Sequence, residues 1–133
     1  MRLMLASLAL VATVAACAPQ KTMPRDQTFQ RSGPAGQELR IFTYAQWHKD
    51  CTPIEPPRIS LRTQPSHGSV SVRPDPTYVT QIREGMVDCT GKTYPGTGVW
   101  YLPAAGFHGV DQFDWDVIGT STVSHDAAVV QVQ

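Results

Sequence analysis

The sequence predicts an all-β domain, an antiparallel two-sheet sandwich of about seven short strands. Three observations carry that prediction. In Gln112–Val117, Phe113, Trp115 and Val117 fall on one side while Gln112, Asp114 and Asp116 fall on the other. A period of two marks a half-buried strand with aromatics inward and carboxylates toward water. The composition is rich in turn formers, with 11 prolines and 10 glycines, and only 17% of the residues are charged. Finally, the apolar runs are short, are separated by turn signals, and nowhere take a helical period.

In chain order, Met1–Cys17 (MRLMLASLALVATVAAC) has one basic residue, Arg2, followed by an uncharged apolar run from Leu3 to Val14. The run is too short for a permanent membrane span and ends in small residues, so residues 1–16 are expected to be a secretory signal peptide. Val14-Ala15-Ala16-Cys17 resembles the lipobox of bacterial lipoproteins, which implies cleavage before Cys17 and acylation of that cysteine. Several acyl chains on one residue give stable anchoring where a single chain does not. Ala18 follows where an inner-membrane retention signal carries Asp, and by this resemblance the protein is expected at the outer membrane. The competing reading is an ordinary secreted protein, cleaved after Ala18.

Residues 17–37 are expected to form a flexible, lipid-anchored linker. Pro19, Pro24, Gly33, Pro34 and Gly36 stand among polar residues there, with too little apolar surface to fold. The domain proper is expected over 38–133, its first strand being Leu39–Tyr44. Ala45–Pro57 is irregular, since Pro53, Pro56 and Pro57 exclude a helix or central strand. Arg58–Gln64 alternates, and Ser69–Arg73 follows across the turn Pro65-Ser66-His67-Gly68, so the two make a hairpin. Tyr78–Arg83 is a further strand candidate before the polar, Gly-rich stretch Glu84–Gly98. Val99–Leu102 and Phe113–Ile118 flank a turn region built on Pro103, Gly106 and Gly109. A loop over Gly119–Asp126 leads to the last strand, Ala127–Gln133.

Setting Cys17 aside leaves Cys51 and Cys89, in a compartment where disulfides persist. A bridge between them closes a loop of 38 residues, worth about 4 kcal/mol in the chain-entropy model. Free thiols or half of a metal site are the alternatives. Neither cysteine has a near second cysteine, which disfavours a zinc site.

TQPSHGSVSV, GVWYLPAAGFHGVDQFDWDV and the closing AVVQV resemble bacterial cadherin-like and immunoglobulin-like domains. The pattern is met by Pro65, His67, Gly68, Val70, Tyr101, Pro103, Phe107, Gly109, Asp111, Phe113 and Trp115. The resemblance covers about Leu39 to Val132, and the cysteine pair looks like that of single-copy envelope members. It implies a sandwich in which Phe107 plugs one end, Gly109 takes a turn conformation and Asp111 accepts backbone hydrogen bonds at the turn. Related adhesins repeat the domain in tandem; here it occurs once.

Chemistry is harder to find. Zero net charge gives no reason to expect a nucleic-acid partner. Ser124-His125-Asp126 has triad residue types, but sequence neighbours point in different directions, so it reads as a polar turn. No GxSxG, HExxH or phosphate-loop motif is present, and no cofactor is expected. Asp111, Asp114 and Asp116 offer calcium oxygens, but no further acidic loop completes a coordination shell. His48 and His67 read as solvated loop residues, and no metal is expected. Trp47, Tyr78 and Tyr94 lie in or beside irregular segments and form the candidate recognition surface where they are exposed; Trp47 also suits packing on the disulfide, and Trp100 suits the core. The expected function is that of a non-catalytic lipoprotein of the bacterial envelope. Its domain binds another envelope protein or surface component; alternatively it is a carbohydrate-binding module using exposed aromatics or, further off, an enzyme inhibitor.

Overall fold

A computed structural model describes residues 26–82 and 87–133. The expected signal peptide, the expected acylation site Cys17, most of the expected linker and the end of the Tyr78–Arg83 segment lie outside the described residues. Ten strands follow one another: β1 (Gln27–Gly33), β2 (Leu39–Trp47), β3 (Pro53–Ile54), β4 (Arg58–Thr63), β5 (Gly68–Pro74), β6 (Thr77–Tyr78), β7 (Thr93–Tyr94), β8 (Gly96–Pro103), β9 (Gly109–Ile118) and β10 (Val123–Val132). No helix occurs among the described residues.

The strands form two four-stranded sheets, ordered β1-β10-β9-β4 and β3-β2-β8-β5, with β6 and β7 paired separately. The alternation in β9 takes the predicted sense: Phe113, Trp115 and Val117 are buried, and Gln112, Asp114 and Asp116 face outward. They meet Ile41, Val99, Tyr101, Ala128, Val130 and Val132 in one core between the sheets. Each such aliphatic or aromatic side chain contributes about 1.5–3 kcal/mol by leaving water.

Two departures from the sequence reading concern the chain's start. Gln27–Gly33, placed in the flexible linker, is strand β1. Its one large apolar residue, Phe29, stacks on Phe42 at 4.6 Å and on Trp115 at 6.0 Å between ring centroids. The main support comes from the backbone, which pairs with β10 from Gln27↔Asp126 to Gly33↔Val132. That pairing is parallel, so the first sheet is mixed rather than wholly antiparallel. A parallel pair needs a long crossover, and here nearly the whole domain serves as one.

In β2 the register slips between Arg40 and Phe42, a bulge after which Tyr44 packs against the core that Ile41 belongs to, while Phe42 stays exposed and stacks on Phe29. The Arg31 guanidinium on β1 donates to the Ile41 carbonyl at 2.5 Å, joining the sheets along that flank.

The turn end of the sandwich is built on Asp111. Its buried carboxylate accepts from Ser66 N at 2.9 Å, His67 N at 2.8 Å, Gln112 N at 3.0 Å and the Tyr101 hydroxyl at 2.7 Å. Burial raises its pKa, but the Tyr101 hydroxyl and the three backbone N–H groups outweigh burial and hold the carboxyl below the ordinary aspartate range. The Tyr101 hydroxyl is pushed above the usual phenol range, by burial first and then by Asp111. Phe107 packs against the core edge and stacks on His67 at 4.1 Å. Gly109 has φ +139°, a conformation that side-chain-bearing residues avoid. Gly68 is required for another reason, because a Cβ there would lie 2.5 Å from the Tyr101 ring and 2.6 Å from the Leu102 carbonyl.

The opposite end receives the chain. The Asp26 amide donates to His125 O at 2.7 Å, and Val123, Ile118 and Arg58 lie side by side there across β10, β9 and β4. The ends of β2 and β5 and the start of β8 lie at this entry end too. A cavity of about 420 Å³ lies between Arg58 and Ile59 on one sheet and Pro74, Gly96 and Thr97 on the other.

Candidate binding surface

The entry end carries a second small core. Cys51 and Cys89 form a disulfide with Cα atoms 5.5 Å apart, and they pack with Val79 and Tyr94. Cys51 has φ +67°, the single non-glycine residue at positive φ among the described residues. Such a conformation persists where its surroundings fix it. Here His48 N and Thr52 O (2.9 Å) and Cys51 N and His48 O (2.9 Å) close a tight loop. The Thr52 hydroxyl and amide hold the Asp50 carboxyl below its usual range.

The three residues proposed for recognition lie at this end, but they divide into base and surface. Tyr94 is only 2% exposed, and its hydroxyl donates to the Cys51 carbonyl at 2.9 Å. It therefore belongs to the core and offers nothing to a ligand. Placing it in an exposed recognition surface is corrected by that burial, since the disulfide draws the β7 strand under the loop. Trp47 stacks on Tyr94 at 4.7 Å between centroids and packs against the cysteine cluster. Tyr78, by contrast, is 60% exposed, and so are Ile82 (62%) and Val87 (58%) nearby in the chain. A shallow cavity of about 210 Å³, lined by Trp47 and residues 77–82, runs alongside.

Ile82 and Val87 were missed as surface residues. Ile82 reads as part of a strand in YVTQIR, yet the strand ends at Tyr78. The signal for their exposure is the polar and glycine-rich sequence around them, which supplies no partner face to cover them. The base of the loop is fixed, with Val79 N donating to Lys92 O and Gly91 N to Val79 O, both at 2.9 Å. Tyr78 and Ile82 are thus exposed beside a base fixed by these bonds and by the disulfide.

Other polar clusters serve the fold. Ser124, His125 and Asp126 are not a turn but part of β10, and the strand's alternation sends His125 outward and Asp126 into the core. His125 stands between two carboxylates of β9, with Nε2 3.6 Å from Asp114 Oδ2 and Nδ1 3.3 Å from Asp116 Oδ1. Asp126 accepts from the Tyr44 hydroxyl at 2.5 Å, and that hydroxyl accepts from Trp115 Nε1 at 3.0 Å. Burial, then the Asp126 carboxylate, push the Tyr44 hydroxyl above the phenol range. Serine, imidazole and aspartate thus face different surroundings and cannot act in line. Among the described residues no three His, Cys, Asp or Glu side chains are grouped to hold a metal ion.

Trp100, expected in the core, lies half-buried on the outer face of its sheet. Arg73 and Arg40 approach its ring at 4.2 and 5.5 Å, and Arg73 forms a two-pronged pair with Glu38 at 2.8 and 2.7 Å. The pair holds the Glu38 carboxyl below its usual range. Strand alternation put Trp100 opposite to Val99 and Tyr101, which are buried.

No helix among the described residues is long and apolar enough to cross a membrane. No family model, curated protein or solved structure matches the chain.

Proposed function

We propose that this protein is a non-catalytic lipoprotein of the bacterial envelope, held at the outer membrane through Cys17, whose immunoglobulin-like or cadherin-like domain binds another envelope component. The observation that carries the reading is the exposure of Tyr78 and Ile82 along one shallow cavity with Trp47, over a disulfide-stapled base. Monomeric domains leave isolated apolar residues exposed, but a grouped set on a fixed root is the form of a recognition surface. The lipobox-like Cys17 and the disulfide both suit an oxidising envelope compartment. The immunoglobulin-like assignment draws support from the Asp111 turn and from the Phe107 plug, which take the roles that the resemblance implies. The carbohydrate-binding alternative loses support, because Tyr94 is buried and Trp47 has a packing role, leaving Tyr78 without an aromatic neighbour fully open to a sugar face.

Cross-linking in intact cells with a tagged copy, followed by purification and mass spectrometry, tests the reading. One protein recovered in near-equal amount from the parent, and lost with Tyr78→Ser plus Ile82→Ser, supports a protein-binding role. Recovery unaffected by those substitutions refutes the assignment of the surface.

A further inference from the structure

We propose that the cavity between β2 and the segment after Asp75 takes an acidic stretch of a protein partner, a carboxylate held by Arg31 and Arg40 with an apolar neighbour against Phe42 and Tyr78. The inference rests on the reading of this part of the domain as a protein-binding surface, and it supplies the chemistry of what is bound.

A cavity of about 600 Å³ is lined by Arg31 of β1, Arg40 and Phe42 of β2, and Thr77, Tyr78 and Thr80 of the segment after Asp75. It shares Thr77, Tyr78 and Thr80 with the smaller cavity beside Trp47. Tyr78 therefore stands between the two, and the surface is continuous. No carboxylate is among the lining residues.

The two cations have donors left to offer. Arg31 donates to two carbonyls, Gln30 O at 2.8 Å and Ile41 O at 2.5 Å, and lies over the Phe29 ring. No carboxylate among the described residues pairs with it. A guanidinium has five N–H donors, so Arg31 is held in place and still unspent. Arg40 meets Asp75 only at 3.5 Å, with 56% of its side chain exposed, and an exposed pair of that length contributes little. The same Asp75 oxygen accepts from the Thr43 hydroxyl. Glu38, close to Arg40 in the chain, is taken by both prongs of Arg73. Positive charge is in surplus at the cavity.

The planar fork of arginine matches a carboxylate, and arginine and aromatic side chains are the usual anchors of protein partners. A carboxylate alone would leave both cations solvated and the attraction screened. An apolar residue beside it, laid against the exposed Tyr78 and Phe42, excludes water from the pair. An acidic sugar shares the carboxylate but lacks that apolar neighbour. It also finds Phe42 engaged by Phe29 at 4.6 Å and by Tyr44 at 4.8 Å between ring centroids.

The test selects binders from a displayed library of random short peptides on the full chain, solubilised in detergent. The expected winners carry Asp or Glu beside Phe, Leu, Trp or Tyr, and their synthetic copies bind less tightly as salt rises. Arg40→Gln and Arg31→Gln should each weaken them by about tenfold, with thermal melting to show that the variants are folded. Arg31 also joins the sheets, so the deciding pair is placed at Thr80, which is exposed on the cavity wall. Thr80→Glu should weaken binding and Thr80→Lys strengthen it, opposite changes that a loss of folding does not produce. A library that yields no binder, winners without acidic residues, or affinities indifferent to charge at Thr80 each overturn the proposal. An oligogalacturonate that binds with this charge dependence while acidic peptides do not overturns it too, and reassigns the cavity to an acidic saccharide. In intact cells, a cross-linked partner lost with Tyr78→Ser plus Ile82→Ser but kept at parental yield with Thr80→Glu removes the acidic occupant and leaves the protein-binding reading standing. Recovery unaffected by either set of substitutions defeats that reading, and this inference with it.

Discussion

Asp111→Asn removes a charge from the one carboxylate that ties three backbone amides and a tyrosine together. Each carboxylate oxygen serves two donors, Oδ1 facing Ser66 and Gln112 and Oδ2 facing His67 and Tyr101. Asparagine keeps one acceptor, so its amide nitrogen must face two donors whichever way it turns. Hydrogen bonds to a charged partner are worth about 1.5–3 kcal/mol each. The Tyr101 hydroxyl can rotate to accept from the amide, so the expected loss is about 3 kcal/mol. For a domain of this size that lowers Tm by about 12–24 °C. Because the folded-state pKa of Asp111 is depressed, its stabilisation is fully present above the unfolded aspartate pKa and fades as pH falls through the folded value. The gap between parent and variant, measured by thermal melting, should hold at neutral pH and narrow only below about pH 4. A gap under about 1 kcal/mol at pH 7, or one that stays constant into strong acid, refutes the role assigned to the carboxylate.

Three further predictions follow from other parts of the fold. Replacing both Cys51 and Cys89 by serine should cost about 4 kcal/mol, seen as an earlier urea midpoint, and should expose Tyr94; unchanged unfolding would contradict the staple. Tyr44→Phe leaves the Asp126 carboxylate without its donor and should cost about 1–3 kcal/mol. Adding Asp126→Val should recover part of that loss in a double-mutant cycle, and strict additivity would deny the pairing. Gly98→Ala puts a Cβ 2.7 Å from both Asp75 Cβ and Trp100 Nε1. It should destabilise by about 1–3 kcal/mol and shift tryptophan emission as the Trp100 ring is displaced; an unshifted spectrum would count against the close contact.

The strands written in apolar alternation were legible in the sequence, and β4, β5, β8 and β9 lie where the period of two put them, but β4 and β5 are not the expected hairpin: they pair with β9 and β8 in different sheets. What escaped is structure whose cause lies elsewhere in the chain. β1 has only Phe29 as a large apolar residue and is made a strand by the backbone of β10, almost a hundred residues away. The polar run Ser124–Asp126 looks like a turn until Asp114, Asp116 and Tyr44 are brought opposite to it. Tyr94, in a glycine- and proline-rich stretch, is buried by the disulfide and not by any local pattern. The candidate surface was half legible for the same reason. Tyr78 could be picked out by type, whereas the exposure of Ile82 and Val87 follows from the strand's early end and from the absence of a facing sheet.

The parallel pairing of β1 with β10 has a mechanical consequence. Tension applied between Asp26 and Gln133 pulls on opposite ends of two strands that run side by side. The seven paired positions from Gln27↔Asp126 to Gly33↔Val132 are then loaded together in shear and cannot be opened one after another like a zipper. A domain tugged from its N-terminal side yields only when that whole ladder slips, so this join gives a small protein a resistance to force beyond what its equilibrium stability implies.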